Sequence, residues 1–327
     1  GHDPSNTNEM IFTDGEMVRA GMKLGPRIFS TGSILYGAVT PFRSLTTSYA
    51  DALMHVRRQK ADGAPSVKSY NQRRRDARQW ILEAAHDEGI NVVPEGGSTL
   101  YQNISQVIDG HTTIEHNLPP GALYEDVLGL WERTGVGYTP TLGVSYGGIS
   151  GEYYWYEHTN VWENERLLTF VPRDVVDPRS RRRLKMAGEG DYHHIAVARH
   201  VNDLNARGVR TNIGAHGQLQ GLAAHWEIWM FAQGGMSPME AIRSATMHPA
   251  VSLGMDADLG SLEVGKLADI LVLERDPLAD IRNTESIEWV MVNGRLYDAA
   301  TLDEAGNHPR PRPRLAHERV PTGPMGR

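Results

Sequence analysis

Cysteine is absent from the 327 residues. That removes disulfides and every thiolate metal site, so any metal must be held by His, carboxylate or a modified Lys. No apolar run approaches the roughly 18 residues of a membrane span. No charged segment followed by an apolar one marks a signal peptide, and compartment stays open between cytoplasm and periplasm or secretion. Phosphate-cradling Gly-rich loops, a nucleophile elbow with Ser-His-Asp order and a His-Glu-x-x-His pair are also missing. P-loop, serine-hydrolase and zinc-protease chemistries are therefore unsupported. A formal charge of -7 argues against a nucleic-acid partner. The basic runs QRRRDAR at 72–78 and RSRRRLK at 179–185 read as solvated helix faces.

An apolar content of 40% supports a sizeable core, with room for one large domain and a small one. From residue 26 onward, short β-rich runs alternate with segments of helical period. Candidate strands are PRIFST (26–31), SVKSY (66–70), INVVPE (90–95), TTIEH (112–116), GYTPTL (137–142) and VRTNIGAH (209–216). Helices fit at 73–88, 225–234 and 238–246, the last with Ser237 as N-cap, Pro238 at the first position and Glu240 completing a capping box. This alternation implies a parallel sheet, and the number of units favours a barrel over a doubly wound sheet. Residues 143–208 interrupt it. Their aromatic stretch, SYGGISGEYYWYEHTNVWENE, reads either as a substrate lid or pocket wall, or as a subdomain in which Tyr153, Trp155 and Trp162 form their own core.

After the α/β region comes GSLEVGKLADILVL at 260–273, then VMVNGRLYD at 290–298. Glycines punctuate the apolar runs, predicting a turn into a buried strand ADILVL and an Asn-Gly hairpin joining VMV to RLYD. The pattern resembles the C-terminal part of the metal-dependent amidohydrolase superfamily, nearest its imidazolonepropionase and prolidase-like branch. The resemblance implies a TIM-type (β/α)8 barrel at 1–253, with the insertion at 143–208. A C-terminal β unit at 254–300 would form part of a small β-sandwich, and a Pro-Arg tail at 301–327 would be extended or disordered. Relatives end the first barrel strand in His-x-His, which is absent here. The expectation is a chain lacking its first strand or strands, completed by a missing N-terminal segment or a second chain.

The same resemblance assigns chemistry. His116 ends TIEH, where a parallel strand delivers its last side chain to the barrel mouth, and it matches the sixth-strand metal ligand. Lys68 stands inside an apolar strand, where an unpaired ammonium is costly. It matches the fourth-strand lysine that carbon dioxide converts into a metal-bridging carbamate, the alternative being a salt-bridged or snorkelling lysine. Glu95 occupies the position where relatives carry a fifth-strand His, and is an acceptable hard ligand. His216, in GAHGQ, occupies the position of the eighth-strand Asp, as ligand or proton shuttle. Tyr70 and Tyr146 are candidates to contact substrate or oxyanion. Glu227 and His225 match the helix that follows strand eight, with His225 read as helix packing or as support for a ligand. His111 is read as structural, His193 and His194 as diverging, and His248 as a cap.

The implied reaction is hydrolysis of an amide-type C–N bond through a metal-activated hydroxide, with one or two divalent ions, zinc foremost. The substrate would be a small or short peptide-like molecule, without nucleic-acid or membrane partners, in a protein open to homo-oligomerisation. Two alternatives stand beside it. One is esterase, lactonase or phosphotriesterase chemistry on the same scaffold; the other is a catalytically silent fragment or binding module.

Overall fold

The computed structural model describes residues 1–38, 44–97, 99–180 and 187–319. Its organising feature is a row of short parallel strands. β1 (His2–Asp3) pairs with β2 (Phe29–Ser30), and the chain runs on into β3 (Leu35–Tyr36), which pairs with β4 (Ser66–Tyr70). β4 pairs with β5 (Asn91–Pro94), setting Lys68 opposite Val93. A Glu95–Glu115 bridge links β5 to β6 (Thr113–Glu115), which pairs with β7 (Gly137–Thr139). Beyond β7 the ladder continues only as a Tyr138–Thr211 bridge.

Helices return the chain between these strands, at Asn8–Arg19, Tyr49–Ala61, Arg75–Glu88, Leu100–Asp109 and Glu125–Trp131. Two of them stop at glycines in the left-handed region, Gly89 (φ 68°) and Gly110 (φ 89°). Such a C-cap satisfies the last carbonyls and turns the chain straight into the next strand. Strand alternation then sorts side chains. Val67 and Val92 pack outward with Val56, Ile81 and Ala84 of the helices. Lys68 and Glu95 are left facing the interior.

The stretch at 209–216 departs from the expected strand. Gly214 donates its N–H to a buried carboxylate, Glu227, and His216 adopts φ 56°. Ladder pairing to β7 holds at the start of the stretch, where the Tyr138 N–H donates to the Arg210 carbonyl and the Asn212 N–H to the Tyr138 carbonyl; beyond that the Ile213 N–H turns to the Ser244 carbonyl and the Gly214 N–H to Glu227. In residues 143–208, helices form at Gly151–His158, Glu165–Phe170, Arg173–Ser180 and His194–Ala206. Trp155 is 1% exposed and packs against Trp226 and Trp229, so this aromatic belongs to the main core; Tyr153 is exposed. The helix at Leu222–Gln233 fills that core with Trp226, Trp229, Met230 and Phe231. Ser237 caps the next helix, Pro238–Arg243, accepting from the Glu240 N–H.

The C-terminal strands β8 (Ile270–Leu273), β9 (Ile287–Val292) and β10 (Arg295–Asp298) make an antiparallel sheet in the order β10-β9-β8. Asn293 (φ 53°) and Gly294 (φ 73°) form the hairpin turn, both with the positive φ that a type I′ turn requires. β8 was expected to be buried, yet Leu271 and Val272 are exposed. The described residues lay no second layer over them; the sheet is anchored at its edge, where Arg27 pairs with Asp269 at 2.6 Å.

The Pro-Arg stretch is held rather than loose. Arg310 pairs with Glu304 at 2.6 Å and donates to the Gly21 carbonyl, and Arg312 pairs with Glu318. Of the two basic runs, 181–185 lies outside the described residues. In the other, Arg78 is buried against Asp109 at 2.8 Å, which corrects the solvated-face reading for that arginine. Among the described residues no helix is long and apolar enough to cross a membrane.

Candidate active site

The C-terminal ends of β4, β5 and β6 converge on one carboxylate. Lys68 Nζ lies 2.8 Å from Glu95 Oε2, and His116 Nε2 lies 2.9 Å from Glu95 Oε1. The Tyr146 hydroxyl donates to the same Oε1 at 2.8 Å. Lys68, Glu95 and His116 are all buried. An isolated lysine or glutamate could not be sealed away like this at tolerable cost, but the cluster neutralises and hydrogen-bonds itself.

Electrostatics follow from that packing. Burial pushes the Glu95 carboxyl up, yet the His116 hydrogen bond and the Lys68 charge outweigh it and hold the group down at about 2. Burial, then the Glu95 hydrogen bond, raises the Tyr146 phenol, which therefore keeps its proton and remains a donor. Tyr70 is raised by burial and by Glu95. It stacks on Tyr36 with ring centroids 4.7 Å apart, and its own centroid lies 5.9 Å from Lys68 Nζ.

The His116 ring stacks on Tyr146 at 4.4 Å and meets the His216 ring edge-on at 5.2 Å. His216 is exposed, with Nδ1 3.2 Å from Gln218 Oε1. His116 (φ 68°) and His216 (φ 56°) both have left-handed backbones. For a non-glycine residue that costs of order 1–3 kcal/mol, and such strain persists where surrounding structure enforces it. Asn117 contributes to that enforcement, accepting from the Tyr146 N–H at 2.6 Å and donating to its carbonyl at 3.0 Å.

Lys68, Glu95, His116 and Tyr146 thus stand in direct contact, with Tyr70 and His216 at their flanks. Other histidines are elsewhere. His111 Nδ1 lies 2.9 Å from the Gln106 carbonyl, and burial lowers its pKa to about 4. His225 meets Thr284 and His248 the Thr211 carbonyl. His193 and His194 turn to Gly147 and Gln233 respectively.

Three residues went unread in the sequence. Glu115 is half-buried beside the cluster, where burial raises its pKa and the Lys68 charge opposes that rise; the Thr113, Glu115 alternation in TTIEH is its available signal. His2, 3.0 Å from Ser66 Oγ, is lowered to about 4 by burial and then by Lys68. Only tertiary structure brings it there. Glu227, singled out only for its helix, is the lone carboxylate in the apolar run AAHWEIWMFA and is fully buried.

Parallel strands with intervening helices are the architecture of the (β/α)-barrel class, and the ionisable cluster lies at the strand ends where that class carries its sites. The sequence profile of the amidohydrolase family matches residues 23–297. The chain belongs to that family. It is 54% identical over 39 residues to the imidazolonepropionase of Symbiobacterium thermophilum, covering 12% of this chain and 9% of that protein. To the ochratoxinase of Aspergillus niger it is 35% identical over 82 residues, 24% of this chain and 17% of the other. These matches span under a fifth of the curated relatives' length. A crystal structure of a Xaa-Pro dipeptidase with methionine in its active site superposes with TM-score 0.66 at 22% identity, over 91% of this chain and 74% of that one. That likeness supports the barrel fold, although the strands here are short.

The family generally uses divalent metals. Among the described residues no group of three His, Asp or Glu side chains is arranged to hold one. As an ammonium, Lys68 pairs with Glu95 and cannot be a ligand. Carboxylated, it would join Glu95, His116 and His216 in an O,N donor set of the kind zinc and its neighbours accept. His116 Nδ1 is buried without a protein partner among the described residues, so one imidazole nitrogen is uncommitted. The residues fit a metal on the condition that Lys68 is modified.

Proposed function

We propose that this protein hydrolyses an amide-type C–N bond in a small or short peptide-like substrate, at the mouth built by Lys68, Glu95, His116, Tyr146 and His216. The observation that carries the reading is the contact of Lys68, His116 and Tyr146 with a single buried carboxylate at the ends of consecutive parallel strands. Carboxylated Lys68, Glu95 and His116 would hold one or two divalent ions, zinc foremost, with His216 either a further ligand or, as in the proton transfers below, the base; its Nδ1 is engaged by Gln218 and its remaining nitrogen cannot be both. When bound, such an ion lowers the pKa of water and polarises the scissile carbonyl.

The protein's own groups supply the rest. Tyr146, kept protonated, turns its one O–H from Glu95 to the carbonyl oxygen as negative charge develops there. The exposed His216 imidazole takes a proton from the attacking water and delivers it to the departing nitrogen. Water and amide thereby become a carboxylic acid and an amine. Tyr70, on its stack with Tyr36, lines the substrate side. The β8–β10 sheet is read as part of a small C-terminal β-sandwich.

The test combines metal analysis of purified protein with hydrolysis of a panel of N-acyl amino acids and dipeptides. Expected are bound zinc, manganese or cobalt, turnover of at least one amide, and loss of both in Lys68→Ala. Metal-free protein that gains no activity when those ions are added would overturn the reading. Full metal content and activity in Lys68→Ala would remove the carbamate from it.

A further inference from the structure

Glu227 lies on the buried side of the helix Leu222–Gln233 with 0% exposure. Its Oε1 accepts the Leu142 N–H at 2.6 Å and its Oε2 the Gly143 N–H at 3.0 Å. The Gly214 N–H also donates to it. These donors belong to two different loops. One leaves β7 and carries Tyr146; the other leaves the Thr211 bridge and carries His216.

We infer that Glu227 is a positioning residue that clamps these two loops together from beneath, and so sets Tyr146 and His216 against Glu95 and His116. Three further observations support it. Thr141 adopts φ 54°, which aims the next two N–H groups at the carboxylate in the manner of an anion-binding nest. A Cβ on Gly214 would fall 2.5 Å from Thr141 Oγ1 and 2.9 Å from Thr139 Cγ2, so the loops touch with no room for a side chain. Tyr146 lies three residues beyond Gly143 and His216 two beyond Gly214, distances over which a fixed peptide fixes the side chain's starting point.

Among the described residues no charged side chain offsets Glu227. Tyr138 of β7 is the titratable group that feels its charge. On the packed helices, Glu152 engages Gln218 and His194 engages Gln233, while Arg282 lies over the Trp155 and Trp229 rings. Burial accordingly pushes the Glu227 carboxyl up to about 7, against the pull of its three N–H donors. Ionised, both oxygens accept. Protonated, one becomes a donor facing an N–H, and the clamp loosens.

The inference rests on the proposed hydrolase only for its activity readout. Amide hydrogen exchange at Leu142, Gly143 and Gly214, measured from pH 6 to 8 and corrected for intrinsic rates, reads the clamp directly. For loop opening that releases the three N–H donors but leaves Glu227 buried, the donors are what pull its carboxyl down, so expected in the wild type is protection that rises by about tenfold as pH increases through the titration, the effect of losing or gaining one hydrogen bond's free energy. In Glu227→Gln these amides should stay poorly protected at every pH. The same variant should lower kcat by about 100-fold with KM changed less than about threefold, because misplacing reacting groups by about an ångström costs that much. Unchanged protection and kcat, with only a lower urea midpoint, would show a purely structural role and overturn the inference. The wild-type series alone decides if the variant does not fold: weak protection of Leu142, Gly143 and Gly214 at every pH refutes the clamp. Protein that hydrolyses nothing yet shows the exchange pattern would count against the hydrolase, not the clamp.

Discussion

Glu95 and Glu227 are both carboxylates sealed from water, and the protein treats their charge in opposite ways. Around Glu95 stand a cation, an imidazole and a phenol, each on a different structural segment, and the group is held down at about 2. Around Glu227 stand only peptide N–H groups, and burial wins, lifting it to about 7. Desolvation acts on both; what differs is whether a full opposite charge lies within contact. The comparison teaches that the strand ends are built to keep a charge permanently, while the loop clamp carries one that can be withdrawn near neutral pH.

The comparison is broken most forcefully by Lys68→Ala. With Lys68 unmodified and no metal bound, removing it leaves the buried Glu95 charge uncompensated, which costs about 3–5 kcal/mol, and urea unfolding of metal-free protein at pH 7 should show that loss. Stability within about 1 kcal/mol of wild type would mean that Glu95 does not depend on Lys68.

Acid titration sharpens it next. The folded Glu95 pKa lies below its ordinary value of 4.5, so its contribution is present above 4.5 and is lost as pH falls from there toward 2. Unfolding midpoints of the wild type should fall across that window more steeply than those of the double variant Lys68→Met/Glu95→Gln. Parallel curves would refute the assignment.

Glu227 predicts the reverse slope. Its folded pKa is raised above 4.5, so its contribution declines by about 3 kcal/mol as pH rises from 4.5 to 7 and is constant beyond. Subtracting the Glu227→Gln profile isolates this term. It also cancels the buried His111, His194 and His225, lowered to about 4 by burial, whose stabilisation is lost as pH falls. A wild-type-minus-variant difference that grows with pH would contradict the clamp's electrostatics.

The smallest expected effect belongs to Tyr146→Phe. It removes one of several bonds to Glu95, for about 1 kcal/mol of stability, while turnover should drop far more if the hydroxyl stabilises the developing oxyanion. Equal turnover in the two proteins would return Tyr146 to a packing role.

Much of the site was legible because parallel strands are short and end in ionisable residues. SVKSY, VVPE and TIEH each announce a polar side chain where the strand stops, and the structure joins those ends through Glu95. The 209–216 run pairs with β7 only around Thr211, for a definable reason: its apolar pattern fits a strand, but the Gly214 N–H is taken by a carboxylate on a helix that begins at Leu222. The burial of β8 was likewise overestimated, since an apolar run predicts a strand without saying what covers its faces.

By itself, the sequence determined the strands β4 to β7, the helix at Arg75–Glu88, the Ser237 cap and the Asn-Gly hairpin, because period, glycine and capping chemistry are local. It also excluded thiolate chemistry outright. Tertiary structure alone decided that Lys68, Glu95, His116 and Tyr146 share one hydrogen-bonded cluster, and that Glu227 ties together two loops. Those facts depend on burial and on contacts across the barrel, where desolvation and opposite charge compete over a few ångströms and no local pattern records the outcome.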